Sequence, residues 1–308
     1  MTLQSDRAGQ GEPAEQCGQT VHCGHTEQCE PGTHHAPAGY TDRIGALVRD
    51  ADPAAGWAVG GPDGPDAMVE AGVGAEAGAG AGAGAEIGAA DRSGGSDVGG
   101  LVGVLAVWPV IGLLVDAGEL ALHTPLAAYG AGAGLPAGTT AHHLLTHGPG
   151  MSPALIGLTE RLCGGPLAGF AAERIWGPLG MTRTGFAADG TLRAPAADLG
   201  RFLSHLLAPA GGPVSPAWTA QSLRIRTGEL LPARGLLWNP AAHGSWSHGE
   251  GPALWISPRG RRWAALLPGT PSAPLRTAFR DAAFSLTSLR GRAVVSSEPN
   301  EEDPPQGP

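Results

Sequence analysis

Apolar residues recur at helical spacing along most of the chain after residue 98. The pattern is clearest at Leu199, Phe202, Leu203 and Leu206, which follow the i, i+3, i+4, i+7 rule for one face of a helix. Together with proline or glycine at their ends, such stretches predict helices over 102–117, 139–147, 153–163, 166–176, 196–207 and 273–288.

The stretch 98–115 carries no charged residue and is close to the length of a membrane span. It contains Pro109 and several glycines, and the acidic residues Asp97 and Asp116 border it without basic anchors. These features favour a buried core helix that ends at Gly118, so we expect no membrane partner.

Shorter apolar runs predict strands over 56–59 and 67–71, around a turn at 61–64, and over 235–238, 253–257 and 262–267. The last two strands are predicted to form a hairpin through the turn 258–261. Helices early and antiparallel strands late are typical of an α+β domain, in which an antiparallel sheet is flanked by helices.

Three stretches lack this periodicity. Residues 1–40 are polar and predict a disordered tail, and 291–308 predict a second, acidic one. Between them, a domain is predicted over 41–290. It is interrupted by a low-complexity loop at about 71–97, in which alanine and glycine alternate from 77 to 85.

The amino-acid composition excludes several classes of partner and mechanism. The net charge of −9 argues against a nucleic-acid partner, which would need a basic surface. All 19 basic residues are arginine, so any mechanism that uses a lysine is excluded. The polar N-terminus has no apolar leader, and this predicts a cytoplasmic protein.

Several phrases resemble the serine β-lactamase-related family, which includes class C β-lactamases and penicillin-binding-protein-like hydrolases. The most specific is PLGMTRTGF, at 178–186. The others are LVDAGEL at 114–120, TAHHLLTH at 140–147, LTERLCGGPL at 158–167, ADLGRF at 197–202 and LWISP at 254–258. The resemblance implies an antiparallel sheet flanked by helices, with a second, mainly helical lobe, here truncated.

The family's chemistry needs a serine nucleophile and a lysine one helical turn later, as Ser-x-x-Lys. The resemblance places the nucleophile at Gly100, or at Leu101 if the register slips, and the lysine at Gly103 or Val104. An arginine cannot replace this lysine, because its guanidinium stays protonated. The first catalytic element is therefore missing.

The second element, Tyr-x-Asn, is also missing, because the only tyrosines are Tyr40 and Tyr129 and no asparagine follows either of them at that spacing. The third element, Lys-Thr-Gly or His-x-Gly on a strand, is present only in an altered form. His248 lies where the histidine is expected, but the glycine of His-x-Gly should stand two residues later, where the chain has Glu250. The glycines are instead Gly249 and Gly251.

Other sites remain open. A rewired hydrolase would most simply use Ser247 with His248 and Glu250; Ser96 and Ser152 lie near the same segments but in no nucleophile motif. His143 and His147 have a zinc-binding spacing without the glutamate of the zincin motif. The tail residues Cys17, Cys23 and Cys29 match no zinc-finger spacing and are weak metal candidates.

The sequence therefore predicts a serine-hydrolase-like domain that is catalytically inactive, a pseudoenzyme with a small-molecule or peptide ligand in a residual cleft. An active esterase, peptidase or β-lactamase with a rewired site is the alternative, and a metal-binding tail on an inert domain is a third. No cofactor is expected, and the oligomeric state is left open.

Overall fold

The computed structural model describes residues 39–72, 95–147, 153–208 and 212–292. Most of the predicted tails 1–40 and 291–308, most of the Ala/Gly loop and the cysteines Cys17, Cys23 and Cys29 lie outside these residues. Where they are described, the tail boundaries differ, because α1 begins at Tyr40 and α8 extends to Arg292. The helices are α1 (Tyr40–Ala51), α2 (Trp108–Asp116), α3 (Ala141–His147), α4 (Pro153–Cys163), α5 (Leu167–Ala171), α6 (Ala196–Leu207), α7 (Pro216–Ser222) and α8 (Ala273–Arg292).

The strands form two antiparallel sheets. The larger has six strands in the order β2-β1-β9-β8-β7-β6, and the smaller has the order β3-β5-β4. Their bounds are β1 (Gly56–Gly61), β2 (Gly64–Val69), β3 (Ser96–Asp97), β4 (Gly185–Phe186), β5 (Leu192–Ala194), β6 (Asn239–Pro240), β7 (Trp246–His248), β8 (Ala253–Ser257) and β9 (Arg262–Leu267). The predicted α+β class, with an antiparallel sheet flanked by helices, is confirmed.

Both faces of the large sheet are buried at its central strands β8 and β9. Along β8 and β9 the side chains alternate between the two faces, as a pleated strand requires. Trp255 and Leu266 pack with Ile44 of α1 and Phe279 of α8 on one face. The other face, which includes Leu254, Ile256 and Ala265, packs against the remaining helices. This explains why β8 and β9 are almost wholly apolar rather than alternating with polar residues.

The segment that leads into α2 is the centre of the second face. A 3-10 turn at Gly99–Leu101 and a π-helical turn at Gly103–Val107 run directly into α2. Trp108 is fully buried, and its indole donates a hydrogen bond to Ser222 Oγ at 2.9 Å. The prediction of a buried core helix is confirmed. Among the described helices, none is both long and apolar enough to cross a bilayer.

Most predicted elements are confirmed. The helices α4 and α6 and the strands β8 and β9 have the predicted bounds, and the β1–β2 and β8–β9 hairpins form. The predicted strand at 235–238 is wrong. There the amide of Gly235 bonds to Trp238 O, and that of Leu236 bonds to Ser222 O. The backbone is therefore satisfied by loop partners rather than by a neighbouring strand. The helices α1 and α7 were not predicted.

Candidate functional site

A cleft of about 950 Å³ opens where the helical segment that begins at Gly99 meets β7. Its walls come from this segment, from the end of α3, from the loop before β6, from the turn after β7 and from α8. The polar and glycine residues that line it are Gly99, Gly100, Thr146, His147, Arg234, Gly235, Asn239, Ser247, His248, Gly249, Glu250, Gly251 and Arg276. Of the sequence-predicted site residues, Gly100, Ser247, His248 and Gly251 therefore meet in one cleft.

The position expected for a nucleophile faces this cleft but carries no side chain. Asp97 Oδ1 accepts from the amide of Gly99 at 2.8 Å, an Asx-turn contact just before the helical segment. Gly100 follows and is exposed, and a Cβ placed on it would meet no atom within 4 Å. Gly103, one turn later, is buried among the core residues. The floor of the cleft is therefore bare backbone.

His248 ends β7 on the same face of the sheet as the helical segment. Its cross-strand partner is Leu254, which belongs to the core on that side. Because a carbonyl can only accept, Nδ1 carries the proton that is shared with Leu237 O at 2.6 Å. Burial lowers the pKa of His248, although the carbonyls of Leu237 and Gly100 partly oppose this. The imidazole is therefore neutral near pH 7 and is held between the floor and one wall.

Ser247 lies on the opposite face of β7 from His248, because successive residues of a strand point to opposite sides. Its partner across the strand is Trp255, which packs towards α1 and α8. Its hydroxyl donates to Asn239 O at a long 3.5 Å, and Glu250 lies exposed in the next turn. This geometry does not align the hydroxyl with the imidazole as a nucleophile and its base.

The turn after β7 uses Gly249 for close packing. Gly249 has φ +89°, and a Cβ there would lie 2.1 Å from Pro252 O and 2.8 Å from Leu101 Cδ2. Only glycine permits this approach to the helical segment. Gly251, by contrast, has open space around it.

Both tyrosines are structural and lie away from the cleft. Tyr40 donates to Ala283 O at 2.8 Å within the core between α1 and α8. Tyr129 Oη accepts from the amide of Ala121 at 2.9 Å. Ser96 lies in β3, paired with Ala194, and Ser152 is outside the described residues.

Sequence reasoning named Glu250, which lines the cleft, but missed its two arginines. Arg234 comes from the loop before β6 and Arg276 from the first turns of α8, where its guanidinium lies 5.6 Å from the ring centroid of Trp255. Burial lowers the pKa of Arg276, and Glu250 partly counteracts this. No local sequence motif predicts that either arginine lines the cleft, because segments far apart in the sequence bring them there.

Metal binding finds no support in the described ranges, which hold no group of three or more His, Cys, Asp or Glu placed to share an ion. His143 and His147 lie on α3 as predicted, and His147 Nδ1 is 2.7 Å from Thr146 Oγ1. Cys163, at the end of α4, is half-buried, and burial raises the pKa of its thiol.

An antiparallel sheet with helices on both faces, and a cleft where a helix start meets a strand, is the fold of β-lactamase and penicillin-binding-protein-like serine hydrolases. Solved structures of this class align over most of the chain. A β-lactamase from Mycobacterium bovis is 21% identical, with 81% of this chain and 100% of that chain covered and a TM-score of 0.59.

A penicillin-binding protein homologue from Pyrococcus abyssi aligns with a TM-score of 0.58 and 14% identity, over 82% of this chain and 77% of its own. A D-alanine carboxypeptidase from Burkholderia cenocepacia gives 0.55 and 16%, over 80% and 97%. These similarities show the fold. Neither the protein-family models nor the curated proteins gave a match.

Proposed function

We propose that this domain is a non-catalytic relative of the serine hydrolases whose fold it has, and that it binds a small molecule or peptide in its cleft. The observation that carries the proposal is Gly100. It stands where the family resemblance puts the nucleophile, it faces the cleft, and it has no hydroxyl.

Three further features support the loss of chemistry. The chain has no lysine to activate a nucleophile, and its two tyrosines bond to the backbone elsewhere. The imidazole of His248 is buried, and its Nδ1 proton is engaged with a carbonyl. Nucleophilic catalysis requires a nucleophile whose proton its base can accept. Thr146 Oγ1 and His147 Nδ1 lie 2.7 Å apart in the wall of the cleft, but the threonine hydroxyl donates its proton to His142 O at 2.8 Å.

Hydrolysis is tested with a chromogenic cephalosporin and a p-nitrophenyl ester. Wild type and Ser247→Ala are expected to give the same rate, equal to that of buffer with an equivalent amount of free imidazole. Turnover by the wild type that Ser247→Ala abolishes would favour the alternative, an active hydrolase that uses the serine in the cleft.

Binding is tested separately by the anisotropy of a fluorescent penicillin, used as the probe. We expect a reversible rise that unlabelled penicillin reverses. Gly100→Phe should abolish it, because the open space at this glycine lets the ring fill the cleft floor. Gly157→Phe is the matched control, since Gly157 is exposed on α4 and also has open space around it. Equal binding by both variants would contradict the proposed site.

A further inference from the structure

Four histidines gather at α3, and of these only His147 also lines the cleft described above. His142, His143 and His147 lie on α3, and His123 lies in the loop after α2. The ring centroids of His123 and His142 are 4.6 Å apart, and those of His142 and His143 are 6.3 Å apart. Rings this close can remain together when neutral but repel one another when charged.

The charged groups that act on His142 are all basic. They are His123, His143 and His147, together with Arg226 from the loop after α7. Burial is the largest cause of the lowered pKa of His142, and these neighbours lower it further. Within the part of the chain that the structure describes, the charged neighbours that shift the pKa of His142 include no carboxylate.

The helix α3 is joined to the cleft by a chain of hydrogen bonds. Leu145 O accepts from the amide of Leu237 at 2.8 Å, and Leu237 O accepts from His248 Nδ1 at 2.6 Å. Leu237 has φ +62°, a conformation that costs a leucine free energy and persists only where its surroundings hold it. Leu145, Thr146 and His147 also form one wall of the cleft.

We propose that this histidine cluster is a pH-sensitive latch for the cleft wall. As the pH falls, protonation of His142 places a positive charge against the ring of His123 and among basic groups that include Arg226. The repulsion loosens α3, the bond from Leu237 to Leu145 opens, and Leu237 relaxes from its left-handed conformation. The cleft wall formed by Leu145, Thr146 and His147 then moves away from the floor at Gly100, next to His248. This device is independent of whether the cleft is catalytic.

The test is amide hydrogen exchange on the full chain at about pH 7.5 and about pH 5.5, corrected for the intrinsic rates. The Leu237 amide reports directly on its bond to Leu145. We expect its protection, and that of the amides of α3, to fall severalfold at the lower pH, while β8 and β9 keep theirs. In His123→Gln/His142→Gln the fall should disappear, because the pair of adjacent rings is gone.

His205→Gln is the matched control. His205 lies on α6 with Val214 as its partner, and burial lowers its pKa as well, so it reports on acid sensitivity away from α3. This variant should leave the pH dependence at α3 and Leu237 unchanged. Protection at Leu237 that does not change with pH, or that falls equally in the double variant, would overturn the latch.

Discussion

Two polar regions of the molecule differ in how completely their groups are paired. At the start of α6, the carboxylate of Asp198 is fully buried and accepts from Arg183 N at 3.0 Å, from Thr184 Oγ1 at 2.9 Å and from Arg201. In the cleft, Gly100 brings no side chain, and His248 donates its Nδ1 proton to the backbone carbonyl of Leu237.

Both regions fall in or beside phrases that resemble the same family, PLGMTRTGF with ADLGRF in one case and the expected nucleophile helix in the other. The comparison contrasts a region whose polar groups are paired with a cleft that has a glycine where the resemblance places a nucleophile. Substitutions in the first region should therefore cost stability, and matched substitutions in the second should not.

The largest effect is expected from Asp198→Ala. It leaves the Arg183 amide and the Thr184 hydroxyl without their acceptor in a part-buried site. Unsatisfied buried donors of this kind cost about 3 kcal/mol in total. The free energy of unfolding, measured in denaturant, should fall by that amount. An unchanged midpoint would show that the network does not hold this region.

A smaller loss is expected when the same change, glycine to alanine, is made at two places along one helical segment. A Cβ at Gly112 in α2 would lie 2.4 Å from Trp218 Cδ1, whereas one at Gly100 meets nothing. Gly112→Ala should lower stability by about 1–3 kcal/mol through overpacking. Gly100→Ala should change it by less than about 1 kcal/mol, in the stabilising direction if at all. Equal losses would contradict the open floor of the cleft.

The pH dependence of His248 is expected to be smaller still. Because burial lowers its pKa below the ordinary value of 6.5, the folded state resists protonation and the unfolded state does not. The contribution of His248 to stability is therefore constant above about pH 6.5 and declines as the pH falls below it. His248→Gln should reduce this decline in denaturant titrations at about pH 7.5 and about pH 5. A slope identical to wild type would mean that the imidazole is accessible to protons.

The helices and hairpins could be predicted because each carries its own signal. In α6, apolar spacing alone marks Leu199, Phe202 and Leu203 as the buried face, and all three are fully buried. The run at 235–238 carried an equally apolar signal, yet its amides bond to Ser222, Leu145 and Trp238. A four-residue run specifies burial but does not specify its hydrogen-bond partners.

The cleft was predictable only in part. Resemblance placed Gly100 and His248, which the fold brings together. Arg234, Arg276 and Leu237 had no local signal, because their roles depend on contacts with segments far away in sequence. The helix α1 was missed although Tyr40, Ile44 and Val48 recur at helical spacing and are buried. The apolar pattern of α1 is short and directly follows a long polar stretch, so it was read as part of the N-terminal tail and the segment after it.

The central claim, a serine-hydrolase fold without its nucleophile, is tested most directly by intact-mass spectrometry of the full chain after incubation with a fluorophosphonate and, separately, with a penicillin. An active serine hydrolase would gain one adduct per chain, because its serine forms a covalent intermediate. We predict the unmodified mass with both reagents. One stoichiometric adduct that maps to a serine, Ser247 above all, would contradict the account.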